Sequence, residues 1–179
     1  MNPTFSSTGA IEVSYHLLED NGVFPNNAIC PLLVYPQALA LSGPDPAALF
    51  EQLFTKNHWP ASWRNGVYGF HHYHSSAHEV LGVFSGAARV QFGGESGVVL
   101  EVKASDVVVI PAGVSHKNLC ASRDLGVVGA YPKGQNWDMQ YGNPGERPAA
   151  DKRIAQVAMP KSDPVFGADG PMKAHWQKK

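Results

Sequence analysis

Short apolar or alternating runs of four to eight residues, separated by glycines and prolines, dominate this chain and predict an all-β sandwich or barrel. Ile11, Val13, Tyr15 and Leu17 alternate with Glu12, Ser14 and His16, the pattern of a strand with one wet face, and Asn21-Gly22 with Pro25 turns it. A second strand is expected over 28–34, where Pro31, which has no N–H to give, argues for a sheet edge. One helix stands out in the N-terminal half. Asp45 is a good N-cap, Pro46 suits the first helical position, and Leu49, Phe50, Leu53 and Phe54 share a face until Trp59-Pro60. Strands are then expected at 65–74, 79–84, 87–92, 97–103, 107–110, 115–120 and 125–131, with tight turns at Gly93-Gly94 and at 122–124.

Beyond residue 131 the periodicity stops and Pro, Gly, Asn and Lys take over, with one helical turn expected at 149–157. This reads as a long irregular tail, 132–179, wrapped around the barrel. Trp137, Tyr141, Phe166 and Trp176 are the candidates to anchor it on the barrel or on a second subunit. The 179 residues suit one domain: N-terminal strands and helix at 9–60, barrel core at 65–131, then the tail. The N-terminal strand is an edge that a second copy would cover, so a homodimer is expected.

Composition narrows the function classes. Apolar residues are 44% of the chain and charged ones 16%, enough for a packed core. Lys plus Arg total 14 against 15 Asp plus Glu, so there is no positive field for nucleic acid or anionic lipid, and neither partner is expected. Segment 1–10 lacks a basic, apolar leader and no run is long enough to span a membrane, so the expected address is cytoplasmic. Cys30 and Cys120 are too few and too far apart for a disulfide framework or a thiolate metal motif.

Four of the eight histidines, His71, His72, His74 and His78, crowd together and are followed at once by Glu79. Side chains two apart in a strand point the same way, so His72 and His74 share one face, while His71 and Tyr73 share the other. Hairpin pairing brings Glu79 back beside the two imidazoles. His116, just after the Pro111-Ala112-Gly113 turn, supplies a third. His72, His74, Glu79 and His116 together suit a divalent transition metal: Fe, Mn, Ni, Co, Cu or Zn. His78 is an alternative to Glu79 as fourth ligand, although alternation turns it out of the barrel. By the same parity Tyr68 and Phe70 line up with His72, Leu81 and Val83 with Glu79, and Asn118 and Cys120 with His116, predicting a largely apolar pocket wall.

These residues resemble the cupin superfamily. Gly66, His72, His74, Glu79 and Gly86 match every spacing of its first motif, and Pro111, Gly113 and His116 match its second. Ser105 stands where the second motif has glycine and Cys120 where it has asparagine, a role that Asn118 could take over. The resemblance, to small single-domain bacterial cupins of unassigned activity, implies a double-stranded β-helix, a jelly-roll-like barrel with the metal inside. It also implies an activity class, since many cupins are Fe(II)-dependent dioxygenases of small organic molecules. A metal-dependent isomerase or lyase, or a barrel that binds a metal or small molecule without turnover, is the alternative.

Overall fold

Residues 11–176 are described by a computed structural model; segment 1–10, read above for a leader, lies outside them. Two antiparallel sheets form. The larger has the order β1 (Ser14–Leu18), β2 (Asn27–Tyr35), β7 (Val107–Ile110), β4 (Glu79–Ser85), β9 (Gly126–Ala130), β3 (Ala61–Asn65). The smaller has the order β6 (Val98–Lys103), β5 (Ala87–Phe92), β8 (His116–Ala121). This is the all-β double-stranded β-helix that the resemblance implies.

Alternation along β4 and β7 explains how the layers stack. Leu81 and Val83 of β4 and Val108 and Ile110 of β7 point between the sheets, where they meet Val90 and Phe92 of β5. Val80, Val107 and Val109 point the other way and pack under helix α1 (Pro46–Lys56), chiefly against Phe50 and Phe54. Both faces of the central strands are therefore dry, which is why 107–110 reads as an unbroken apolar run. Helix α1 starts as its sequence requires, with the Asp45 carboxylate accepting from the Ala48 N–H.

Val165, Met172 and Trp176 pack into this outer core from beyond the barrel. Helices α2 (Ala149–Gln156) and α3 (Pro171–His175) lie in it. Buried Asp163 accepts hydrogen bonds from the Tyr35 hydroxyl, 2.6 Å, and the Met172 N–H, 3.0 Å. The indole of buried Trp176 donates to the Pro31 carbonyl at 2.8 Å. Phe166 rests near Tyr35, whereas Trp137 and Tyr141 stay half exposed.

Three expectations are corrected. Pro31 does not mark an edge, because β2 lies between β1 and β7. The proline instead falls where β2 pairs with neither neighbour: β7 pairs only from Leu33 onward, and a bulge in β1 skips the stretch between Asn27 and Leu32. The strand expected at 65–74 ends at Asn65, since Gly66 and Gly69 interrupt it; beyond them only His72 and Tyr73 make isolated bridges, to His116 and Gln140. Cys120, expected to point inward, is exposed. A register shift against β5 sets Asn118 opposite Val90 but Cys120 opposite outward-facing Arg89, so the parity counted from His116 is lost at Leu119.

Candidate metal centre

Three backbone devices bring the histidines and the glutamate together. The bridge between segment 72–73 and β8 is reciprocal: the His72 N–H donates to the His116 carbonyl, 3.2 Å, and the His116 N–H to that of His72, 2.9 Å. Their rings are thereby set side by side, centroids 4.1 Å apart. The Gly113 N–H donates to the His74 carbonyl at 2.8 Å and ties His74 to the turn before β8. Glu79 opens β4 opposite Ile110 at the end of β7, with its side chain on the inner face.

Nitrogen atoms of His72, His74 and His116 all lie within 4.8 Å of one another, and all three rings are buried. Oε2 of fully buried Glu79 stands 3.3 Å from Nε2 of both His74 and His116, so the carboxylate joins the group through those two. His78 is on the other side of β4: its Nδ1 accepts from the Ala112 N–H, 3.0 Å, and its ring packs on Trp176. Glu79, not His78, adjoins the histidine group, beside His74 and His116.

The donor atoms suit a metal ion. Nδ1 of His72 faces the Phe70 carbonyl at 3.2 Å, that of His116 faces the Val114 carbonyl at 3.4 Å, and that of His74 is hydrogen-bonded to the Asp138 carbonyl. A proton held on each Nδ1 by a carbonyl leaves each Nε2 with a lone pair. Oε2 of Glu79 is buried and makes no hydrogen bond, whereas Oε1 accepts from the Tyr131 hydroxyl at 2.8 Å. A buried carboxylate oxygen left bare beside Nε2 atoms is what a cation would satisfy.

Electrostatics point the same way. Burial, then the neighbouring His116, pushes His72 down to about 3, so it is neutral. Burial opposes charge on His74 too, but Glu79 outweighs it and raises that ring. Burial likewise opposes ionisation of Glu79, but His74 and His116 hold its carboxyl well below the usual range. The centre thus keeps an ionised carboxylate among imidazoles in a dry site.

Above it opens a cavity of about 200 Å³, walled by Trp63, Val67, Tyr68, Leu81, Tyr131, Trp137 and Met139. Of the expected wall, Tyr68 and Leu81 are there. Val83 lies two residues further along β4, a rise of roughly 6–7 Å that carries it into the core between the sheets. Phe70 is not in the wall but stacks on Tyr68 from outside, because the glycines around it end the alternation. Asn118 is half-buried behind Tyr68, whose carbonyl accepts its backbone N–H, and Cys120 is remote.

Trp63, Tyr131, Trp137, Asp138 and Met139 surround the centre although no local pattern in the sequence marks them. Trp63 reaches the cavity from β3 because it lies flat over Gly129 of the paired strand β9, where a Cβ would fall 2.0 Å from its ring. Its indole donates to the Tyr131 hydroxyl at 3.1 Å. Trp137 stacks on Tyr131, 5.8 Å between centroids. The Asp138 carboxylate accepts from the N–H groups of Ser75, 2.6 Å, and Ser76, 3.2 Å, strapping the tail across the histidine segment.

No protein-family model matches the sequence. The chain is 44% identical over 167 residues to the uncharacterized protein YjlB of Bacillus subtilis (strain 168), covering 93% of this chain and 98% of that one. Among solved structures it is similar to a DUF861 family protein from Thermotoga maritima, 24% identical with a TM-score of 0.32, over 50% of this chain and 94% of that one. It is also similar to the 11S allergen from Cocos nucifera, 17% identical with a TM-score of 0.37, over 51% of this chain and 30% of that one, so the match spans under a third of the allergen chain.

Proposed function

This chain belongs to the family of the Bacillus subtilis protein YjlB, and we propose that it is a metal-dependent dioxygenase acting on a small, largely apolar organic molecule. One observation carries the reading: ligand nitrogens of buried His72, His74 and His116 lie within 4.8 Å of one another on the wall of an apolar cavity, with the bare Oε2 of Glu79 3.3 Å from His74 and His116. When bound there, a divalent ion such as iron would supply Lewis-acid and one-electron redox chemistry.

The chain's own residues do the rest. The three histidines and Glu79 would hold the ion, and Tyr131 keeps Oε1 of Glu79 occupied so that Oε2 faces inward. Tyr68, Leu81, Trp137 and Met139 exclude water and take up the apolar part of a substrate. No lysine or arginine is among the described cavity residues, so a fixed anion would find no counter-charge from the protein.

The oxidation reading is favoured over isomerisation by the scarcity of proton-transfer groups. Besides the four residues that would hold the ion, the cavity offers the hydroxyls of Tyr68 and Tyr131, and the second is committed to Glu79. Dioxygenation places both atoms of O2 in the product and needs no separate reductant.

The test begins with the metal content of protein purified without added metal. Anaerobic loading with Fe(II), then admission of air, should give oxygen uptake dependent on a member of a panel of catechols, diketones, thiols and hydroxy acids. Turnover by zinc-loaded protein without oxygen, with no uptake by the iron form, would overturn the proposal in favour of an isomerase or lyase.

A further inference from the structure

Beside the cavity the fold leaves aromatic side chains uncovered: Tyr68 and Trp137 in its wall, and Phe70 and Tyr141 next to Tyr68. Tyr68, Phe70, Trp137 and Tyr141 are each between 46% and 49% exposed. The rings of Tyr68 and Phe70 lie nearly parallel, 19° apart with centroids at 4.9 Å, and Tyr141 adjoins Phe70 at 5.9 Å. Single exposed apolar residues are ordinary, but a contiguous group of large rings marks a binding surface.

This surface is continuous with the metal centre. Tyr68 stands edge-on to His72 at 5.2 Å and Trp137 lies 5.6 Å from His74, and both also wall the cavity. A molecule in the cavity therefore lies against Tyr68 and Trp137, and Phe70 and Tyr141 extend that surface outward from Tyr68. Backbone bonds hold the rim in place: the Tyr68 carbonyl accepts from the Asn118 N–H, and the Tyr141 and Gly142 N–H groups donate to the Glu146 carboxylate, both at 2.9 Å. Such a preorganised surface loses little on binding.

We propose that the substrate carries an uncharged aromatic group that lies on the rim of Tyr68, Phe70, Tyr141 and Trp137 while its oxygen-bearing end reaches the histidines. This rests on the catalytic reading above and assigns its substrate class. Flat rings stack on flat rings in offset geometry, which an aliphatic skeleton cannot reproduce. A cavity of about 200 Å³ is below the ~300–1,000 Å³ of drug-sized sites, so a larger substrate would leave part of itself on the rim. An anionic ring is disfavoured, because Lys117, on the outer side of Phe70 and Tyr141, is already paired with Glu95 at 3.2 Å.

The test uses the full chain, metal-free and zinc-loaded, and follows tryptophan fluorescence on adding 2-naphthol, its saturated counterpart 2-decalol, or 2-naphthoate. 2-Naphthol should bind more tightly than either of the others. The double substitution Phe70→Ala with Tyr141→Ala should weaken 2-naphthol roughly tenfold and leave metal content unchanged. Phe70→Leu with Tyr141→Leu, which keeps apolar area and removes the ring faces, should abolish the preference for 2-naphthol over 2-decalol. Equal binding of the two by the unsubstituted protein would overturn the proposal, as would a dimer that the alanine pair splits, since a second copy would then cover the rim. Intact selectivity in a protein that holds no metal would support the rim and sink only the catalytic reading.

Discussion

The Tyr131 hydroxyl, 52 positions along the chain from Glu79, donates a hydrogen bond of 2.8 Å to its Oε1 inside the barrel. Strand β9 pairs with β4, and the residue after β9 is thereby carried to the cavity beside the residue that opens β4. The indole of Trp63 completes the chain of donors by reaching the Tyr131 oxygen. Tyr131→Phe keeps the ring and leaves a buried carboxylate oxygen unpaired. It should cost about 2 kcal/mol in urea unfolding and weaken metal binding by roughly 10-fold or more. Unchanged affinity in a competition titration would show that Tyr131 does not position Glu79.

Removing two nitrogens at once should empty the centre. His74→Ala with His116→Ala takes away both imidazoles that flank Glu79. Metal content should fall to background, while the far-ultraviolet circular dichroism of the β fold is kept.

Asp138 should matter to the metal without touching it. Its carbonyl holds the Nδ1 proton of His74, and its carboxylate pins the strap to Ser75 and Ser76. Asp138→Ala should weaken metal binding by roughly 10–100-fold. Asp138→Asn, which keeps one acceptor for the Ser75 N–H, should fall between the two. Nitrogen-15 shifts of metal-free protein should place the His74 proton on Nδ1, and a loss of stability with no change in affinity would contradict a positioning role.

Ser105 adopts φ +85°, the left-handed conformation for which the second motif reserves a glycine. That costs a non-glycine residue roughly 1–2 kcal/mol, while a new glycine loosens the unfolded chain by about 0.4–1 kcal/mol. Strain wins, so Ser105→Gly should raise stability by up to about 1.5 kcal/mol. Gly86→Ala should do the reverse, because Gly86 has φ +68° and a Cβ there would fall 2.8 Å from the Leu125 backbone. Urea midpoints measure both.

Glu146 makes the rim sensitive to acid. Burial opposes its charge, but the N–H groups of Tyr141, Gly142 and Asn143 and the Tyr73 hydroxyl outweigh burial and lower its carboxyl. A depressed folded value means that its stabilisation is present above the ordinary glutamate range and lost as pH falls through the lowered value. Glu146→Gln should therefore be less stable than the parent at neutral pH, and the difference should shrink on acidification.

What the chain's linear pattern determined is whatever depends on near neighbours. Apolar runs between turn residues located β5 and β7 to the residue, and Asp45-Pro46 marked the start of α1, because burial and capping act within a few positions. The alternation of His72 and His74, with Glu79 and His116 at their spacings, carried the histidine group for the same reason. Only the tertiary structure decided what surrounds that group. Trp63, Tyr131, Trp137 and Asp138 arrive through strand pairing and the tail crossing, contacts between positions far apart that no local periodicity encodes. Parity also fails wherever the ladder is interrupted: Gly66 and Gly69 release Phe70 to the rim, and one extra residue at Leu119 turns Cys120 to solvent. A period of two holds only while hydrogen bonds on both sides keep the strand in register, and those partners are fixed by the whole fold.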